Sequence, residues 1–293
     1  MMRRILITGA NSYLGTSLEA YLKQWPDDYA VDTVDMIGDS WQNKDFGGYH
    51  TVYHVAGIAH SDFGEIAEDK KELYRRVNTD LAVETAKKAK ADGVKQFIFM
   101  STIVVYGKSA GIGKQKVITR DTMPQPDNIY GLSKLEAEAG LKALEDENFH
   151  LCILRPPMIY GRGCKGNYAR MSQWAKKLPV FPDISNQRSM LYLETLCEMI
   201  RQLVDREESG VFFPQNGEYV CTSDMFAAIA RANGRRVRLT RIFNPAVRLL
   251  AGKMPVIDKV FGSIVYDQQL SRCVFEYRTV GFWESIRRSE GSE

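Results

Sequence analysis

Apolar runs of strand length alternate with helix-periodic segments through the first half of the chain, and that alternation sets the fold class. Arg4-Ile5-Leu6-Ile7-Thr8 is an apolar run that stops at Gly9. From Ser12 to Lys23, Leu14, Leu18 and Leu22 recur every four residues, the spacing of one helix face. Further strands are predicted at Tyr29–Asp35, at Thr51–Ala56 before Gly57, at Lys95–Ser101, and at Leu151–Leu154 before Pro156-Pro157. Helices are predicted over Lys70–Asp92, with Leu73, Val77, Leu81 and Thr85 on one face, and over Asn128–Asp146. Such alternation implies an α/β fold: a doubly wound parallel sheet covered on both faces. After Gly161 the pattern fades. A helix at Leu193–Asp205 and a short strand at Gly210–Phe213 are expected to rejoin the first layer. The expected division is residues 1–160, rejoined by about 189–215, and a smaller, mostly helical region from 161 to 293. The polar end Arg287–Glu293 is expected to fray.

Composition narrows the class further. With 293 residues, 44% hydrophobic and 26% charged, the chain can bury a core without covalent staples. Its 39 basic and 36 acidic residues leave a net charge of +3, short of the dense basic stripe of a nucleic-acid binder. Five cysteines, an odd number without a C-x-x-C, read as reduced thiols in a cytoplasmic protein, and no Cys/His pair has metal-ligand spacing. No run of 18 apolar residues exists, so no membrane partner is expected. Asn244–Val265 is apolar-rich but is interrupted by Arg248, Lys253, Asp258 and Lys259. Arg235-Arg236-Val237-Arg238, with Arg231 and Arg241 nearby, reads either as a solvated face or as a contact for phosphate or an acidic partner.

The first strand leads through Thr8-Gly9-Ala10-Asn11-Ser12-Tyr13-Leu14-Gly15 into a helix. A glycine at such a turn permits positive φ, and a later one lets helix and strand pack closely. The helix N-terminus then offers free N–H groups and partial positive charge to a pyrophosphate. Asp35 follows Gly15 by 20 residues at the end of the second strand. A carboxylate there accepts from ribose hydroxyls and repels a 2′-phosphate, which favours NAD over NADP.

Tyr130-Gly131-Leu132-Ser133-Lys134 places a phenol and an ammonium four residues apart, on one helix face. A cation lowers a phenol's pKa from about 10 towards neutrality, where it can serve as acid and base. Ser101-Thr102 closes a strand just before Val105-Tyr106-Gly107. With the glycine turn, Asp35, His54-Val55-Ala56-Gly57, Val77-Asn78 and Leu154-Arg155-Pro156-Pro157 with Tyr160-Gly161, this set resembles the extended short-chain dehydrogenases/reductases over about the first 220 residues. More narrowly it is similar to the NAD-dependent epimerase/dehydratase family, which has a Rossmann domain.

The resemblance implies roles by position. Tyr130 is the acid/base, Lys134 its electrostatic partner, and Thr102 the hydroxyl that meets the sugar oxygen, with Ser101 as the alternative. NAD would be held by Gly9, Asn11, Ser12, Tyr13, Leu14, Gly15, Asp35, Ala56, Gly57, Asn78, Tyr130, Lys134 and Pro156. Asp45-Phe46 would touch the adenine. Ser12 replaces the family's middle glycine, so its side chain must avoid the pyrophosphate or hydrogen-bond it. Asn167 and Arg188 would bind the diphosphate of a nucleotide sugar, and Phe181 would pack on its base. His60 reads either as a sugar contact or as a structural hydrogen-bonder. The implied activity is NAD-dependent 4-epimerisation of a UDP-sugar, with a 4-keto-sugar reductase as the alternative. A non-catalytic dinucleotide sensor is a third reading, disfavoured by the presence of both Tyr130 and Lys134. A homodimer through the helices at Lys70–Asp92 and Asn128–Asp146 is also implied.

Overall fold

The computed structural model describes residues 2–59 and 67–291. The chain forms two compact units. The first comprises Met1–Gly107, Met123–Pro156 and Cys197–Pro214; the second comprises Lys108–Thr122, Pro157–Leu196 and Gln215–Glu293.

The first unit is built on six strands: β1 (Arg3–Thr8), β2 (Tyr29–Val34), β3 (Thr51–His54), β4 (Gln96–Met100), β6 (His150–Leu154) and β10 (Gly210–Phe212). All pair in parallel, in the order β10-β6-β4-β3-β1-β2. The chain runs from β1 out to β2, then doubles back to β3 on the other side of β1. The strand order therefore reverses between β1 and β3, the place where open α/β sheets bind ligands. Thr8 at the end of β1 lies opposite both Val34 and His54, so Gly9 and Val55-Ala56-Gly57 leave the sheet side by side.

The helices of this unit are α1 (Tyr13–Leu22), α2 (Glu68–Tyr74), α3 (Leu81–Ala91), α4 (Ile129–Lys142) and most of α6 (Leu193–Arg206). On one face of the sheet Leu6, Val52, Phe97, Phe99, Leu151 and Ile153 pack with Ala82, Ala86 and Ala89 of α3 and Ala137 and Leu141 of α4. The small alanines let helix backbones approach the bulky strand residues closely.

The long helix expected at Lys70–Asp92 is helical throughout its described length but is not uniform: Arg75–Asp80 form a π turn between α2 and α3. A π turn takes up one extra residue and rotates the helix beyond it. The expected face is offset by one residue on both sides of that turn: Leu73 is exposed, the buried line is Tyr74, Asn78, Ala82, Ala86 and Ala89, and of the expected residues Thr85 is fully buried. Phe46, expected at the adenine, is fully buried in the core, with the Lys88 ammonium 5.0 Å from its ring centre and its N–H donating to Asp92.

The second unit holds short strands in three parallel pairs: β5 (Lys116–Ile118) with β12 (Ile264–Tyr266), β7 (Met158–Tyr160) with β9 (Met190–Tyr192), and β8 (Val180–Pro182) with β11 (Arg238–Thr240). The pairing of β5 with β12 is why Lys108–Thr122 belongs to this unit and not to the first. Its helices are α5 (Asn167–Ala175), α7 (Thr222–Ala232), α8 (Asn244–Leu250), α9 (Pro255–Phe261) and α10 (Phe282–Glu290). Three-residue strands are too brief to show alternation, so the sequence hides them. Nor does the chain fray at Arg287. Glu290 is a buried carboxylate that accepts from Tyr168, Ser172 and Asn233 and pairs with Lys176. Burial of these hydrogen-bonded groups ties α10 to α5 and α7.

Because Phe46 is a core side chain, Phe46→Ala is expected to cost about 3–5 kcal/mol in urea unfolding through lost burial and the cavity left behind.

Candidate active site

The turn after β1 is shaped by two glycines for different reasons. Gly9 has φ +88°, and a Cβ on it would lie 3.0 Å from the Ala56 Cα. Only a residue without a side chain lets β1 and β3 diverge this closely. Gly15 sits in the first turn of α1, where a Cβ would meet Ser12 Oγ at 2.6 Å and Ile7 Cγ2 at 3.0 Å. Between them Asn11 adopts φ +63°, a left-handed position that asparagine tolerates.

Ser12 takes over the glycine position with an ordinary φ of −68° and caps α1, its Oγ accepting from the Gly15 N–H at 3.2 Å. The hydroxyl is thus turned onto its own helix. Tyr13 and Leu14 follow as the first helical residues. Asp35 lies just past β2 with an exposed carboxylate, one oxygen accepting from the Ile37 N–H at 3.0 Å. The bare glycine backbone, the free helix end and the exposed acid fit a dinucleotide whose pyrophosphate meets Gly9–Gly15 and whose ribose meets Asp35.

On the other side of the reversal point, Asn78 staples the chain that follows β3. Its Oδ1 accepts from Ile58 N–H at 2.9 Å, and its Nδ2 donates to Ile58 O at 3.0 Å and to Ser133 Oγ at 3.1 Å. Asn78 is fully buried and is presented by the π turn. Gly57 is exposed, and a Cβ there would lie 2.9 Å from Asn78 Oδ1 and 3.3 Å from Lys134 Nζ. A side chain there would crowd both groups, so the glycine preserves their placement beside buried Ala56.

Asn128 caps α4 through Oδ1 to the Gly131 N–H, which starts the helix two residues before Tyr130. Tyr130, Lys134 and Glu138 then share one face at four-residue spacing. Thr102 lies beside the Tyr130 phenol and favours its charged form. Thr102 Oγ1 itself accepts from the Val104 N–H at 3.1 Å. Lys134 is buried, with Nζ 4.6 Å from the centre of the Phe99 ring.

The electrostatics differ from the expectation of a lowered phenol pKa. Burial pushes Tyr130 up to about 12, opposed by the Thr102 hydrogen bond and reinforced by neighbouring Tyr74. Burial also holds the Lys134 ammonium down to about 8, while Glu138 pulls it upward. A dry pocket penalises both charged forms, so it takes a second cation to make a phenolate there. His54 cannot supply it. It is fully buried, its Nδ1 bonds Thr8 Oγ1, and burial and Lys134 push it down to about 3.

Beneath this face lies a network that sequence reasoning missed. Ser101 Oγ donates to Glu138 at 2.5 Å, Arg155 Nε donates to the same oxygen at 3.0 Å, Arg155 Nη2 bonds the other oxygen, and Arg155 Nη1 donates to Tyr106 at 2.6 Å. Ser101 is therefore occupied, and Thr102 is the hydroxyl that faces Tyr130. Pro156 comes just after β6, where its carbonyl accepts from the Ile103 N–H. The signal for Glu138 was available as a further four-residue step from Lys134.

In the second unit, Asn167 is exposed at the first position of α5, after Gly166 at φ +87°. Arg188 donates from Nη1 to the carbonyls of Lys259 and Gly262, and no ion pair to it is present among the described residues. Its charge, that of Arg170 and that of Lys259 act together, and burial and the two arginines lower the Lys259 pKa. Cations gathered in this way suit a diphosphate. Arg170 and Lys259 were not foreseen. Phe181 is a correction: it is buried and stacked on Phe226 with ring centres 3.9 Å apart, with Phe261 at 5.8 Å. It is a core residue of this unit and not a platform for a base. His60 lies outside the described residues.

Two outcomes test this geometry. Nitrogen-labelled lysine NMR of the dinucleotide-free chain should show Lys134 Nζ, assigned with Lys134→Arg, losing its proton near pH 8. An unfolded lysine keeps its proton to about 10.4, so between these values the unfolded chain binds more protons and this residue's contribution to stability rises with pH. Ser12→Gly should cost only a few tenths of a kcal/mol, roughly, because glycine is itself a tolerated cap, and should leave dinucleotide affinity nearly unchanged in calorimetry.

Comparison with known proteins places the chain among its relatives. A Vibrio cholerae UDP-glucose 4-epimerase is 31% identical over 91% of this chain and 88% of its own length. A GDP-6-deoxy-D-mannose reductase of Pseudomonas aeruginosa is 27% identical over 73% of this chain and 74% of its own length. The crystal structure of UDP-glucuronic acid 4-epimerase from Bacillus cereus in complex with NAD superposes with a TM-score of 0.73 at 17% identity, covering 99% of this chain and 98% of that one. The family described as NAD dependent epimerase/dehydratase matches residues 5–213. With the reversal-point glycines, the Tyr130–Thr102 pair and this match in agreement, the chain belongs to the NAD-dependent epimerase/dehydratase family.

Proposed function

We propose that this enzyme interconverts a UDP-linked hexose and its C4 epimer. The observation that carries the reading is the Tyr130 phenol, favoured in its charged form by the neighbouring Thr102, on a helix face that also buries a cation, Lys134. Support for a UDP-sugar comes from the 31% identical relative, a UDP-glucose 4-epimerase. The diphosphate falls to Arg188, with Arg170 and Lys259, and Asn167 stands at the start of the same helix as Arg170.

NAD, when bound, supplies the acceptor and donor of the hydride at C4. The protein's part is to move the proton of the 4-hydroxyl. Tyr130 Oη takes that proton as base and returns it as acid. Thr102, fixed by the Val104 N–H, stands beside the phenol and favours its charged form. Lys134 contributes positive charge whenever it is protonated. Exclusion of water leaves that charge less screened, so its field acts more strongly than it would in solvent, while the same burial limits the pH range in which it is protonated. Asn78 holds the backbone at Ile58 in place, and the missing side chain of Gly57 avoids crowding Lys134 Nζ.

The test is an NMR assay of UDP-glucose and UDP-galactose interconversion by the purified chain. Tyr130→Phe should lower kcat by about 10²–10⁴-fold while the dinucleotide Kd stays within about twofold. Mass spectrometry of the denatured protein should find close to one NAD per chain, since a recycled cofactor need not leave. A chain that leaves both UDP-sugars unchanged and consumes a reduced dinucleotide with a 4-keto nucleotide sugar is a reductase, and the epimerase reading then falls.

A further inference from the structure

One stretch of the second unit stands exposed and carries a consistent charge. Residues 231–257 contain seven cations, Arg231, Arg235, Arg236, Arg238, Arg241, Arg248 and Lys253, and no Asp or Glu, in a chain whose net charge is only +3. All seven are exposed. Arg241 pairs with Asp183, and Arg231 lies over the Trp283 ring. Apolar side chains are exposed in the same stretch: Ile242 by 82%, Leu249 by 70% and Val256 by 50%, with Phe243, Leu250 and Met254 also exposed. Six of the 17 large apolar side chains exposed among the described residues thus fall within residues 242–256, while most of the others are scattered. The helix at the centre of this stretch, α8, buries none of its residues. A cavity of about 520 Å³ is lined by Lys114, Arg241, Asn244 and Arg248.

Apolar side chains held out in water cost free energy, and cations interleaved with them restrict what can cover them. A second copy would bring the same seven cations against these. An anionic lipid surface meets both requirements, taking the apolar side chains below its headgroups and the arginines at them. We propose that residues 235–256 dock this enzyme on an anionic membrane surface, α8 lying in the headgroup layer with Ile242 and Leu249 inserted. No described helix is long and apolar enough to cross a membrane, so the attachment is peripheral. The inference is independent of the sugar substrate.

The experiment is flotation of the full-length protein with phosphatidylcholine vesicles, with and without about 30% phosphatidylglycerol, at low and high salt. Binding should be roughly tenfold or more stronger to the anionic vesicles and should weaken with salt. Ile242→Glu with Leu249→Glu, and separately Arg235→Glu with Arg236→Glu, should each reduce it by about tenfold or more. Both side-chain pairs are exposed, so circular-dichroism melting should match the parent. Should either double variant not fold, the lipid and salt dependence of the parent alone still decides. Equal or absent binding to the two vesicles overturns the proposal, as does binding kept in properly folded variants. Loss of self-association in the first double variant by light scattering, with no vesicle binding by the parent, would assign the face to a second copy instead.

Discussion

The buried pairing of Glu138 with Arg155 holds the candidate site together. It joins α4 to the end of β6, and Ser101, on the same carboxylate, adds the end of β4. Three separate chain segments are thereby locked at the edge of the sheet where Thr102 and Tyr130 meet. Such a pair contributes little to net stability compared with apolar residues of the same shape, yet leaving one partner uncompensated costs about 3–5 kcal/mol. Its value here is geometric. A helix sliding by a fraction of a turn would carry the phenol away from the threonine, and the ion pair penalises that movement steeply. Tyr106, bonded to the same guanidinium, extends the constraint to the loop after β4.

The charges above this pair are set by dryness more than by proximity. Lys134 and Tyr130 lie four residues apart, yet both are driven towards their neutral forms by burial. The family's oxidised dinucleotide brings a positive ring of its own, so the site is arranged for a charge that the chain does not carry. Neutral His54, stacked against the rings of Phe97 and Phe99 and pushed low, avoids adding a competing cation under Lys134. The serine at the glycine turn is accommodated by the same economy of groups, since its hydroxyl is engaged by the helix it caps.

Most of the first unit was legible because its signals are long. Five-residue apolar runs such as Gln96–Met100 and the Leu14, Leu18, Leu22 spacing each repeat enough to be read. Asp35, Tyr130, Lys134 and Asn78 stand at sequence offsets that only a strand–helix layout explains. What escaped was decided by tertiary contact. Nothing local marks Phe46 as core or says that Phe181 stacks on Phe226, because each partner is distant in sequence. The three-residue strands of the second unit give no period to detect. Glu138 looked like any helix glutamate until Arg155 came against it. The fraying expected at Arg287 failed because Glu290 is met by donors from two other helices.

The π turn at Arg75–Asp80 bears on how this chain can vary in length. A π turn is an α-helix with one residue inserted, and each residue of an α-helix advances the face by about 100°. Deleting any one residue there would restore a regular helix at no loss of backbone hydrogen bonds and would even relieve the wider turn. It would also swing Asn78 away from Ile58 while leaving the alanine face of α3 to find its sheet again. Such a deletion would trade a more regular helix for the loss of the buried Asn78 bonds to Ile58 and Ser133, so the extra residue of this turn serves the asparagine it aims.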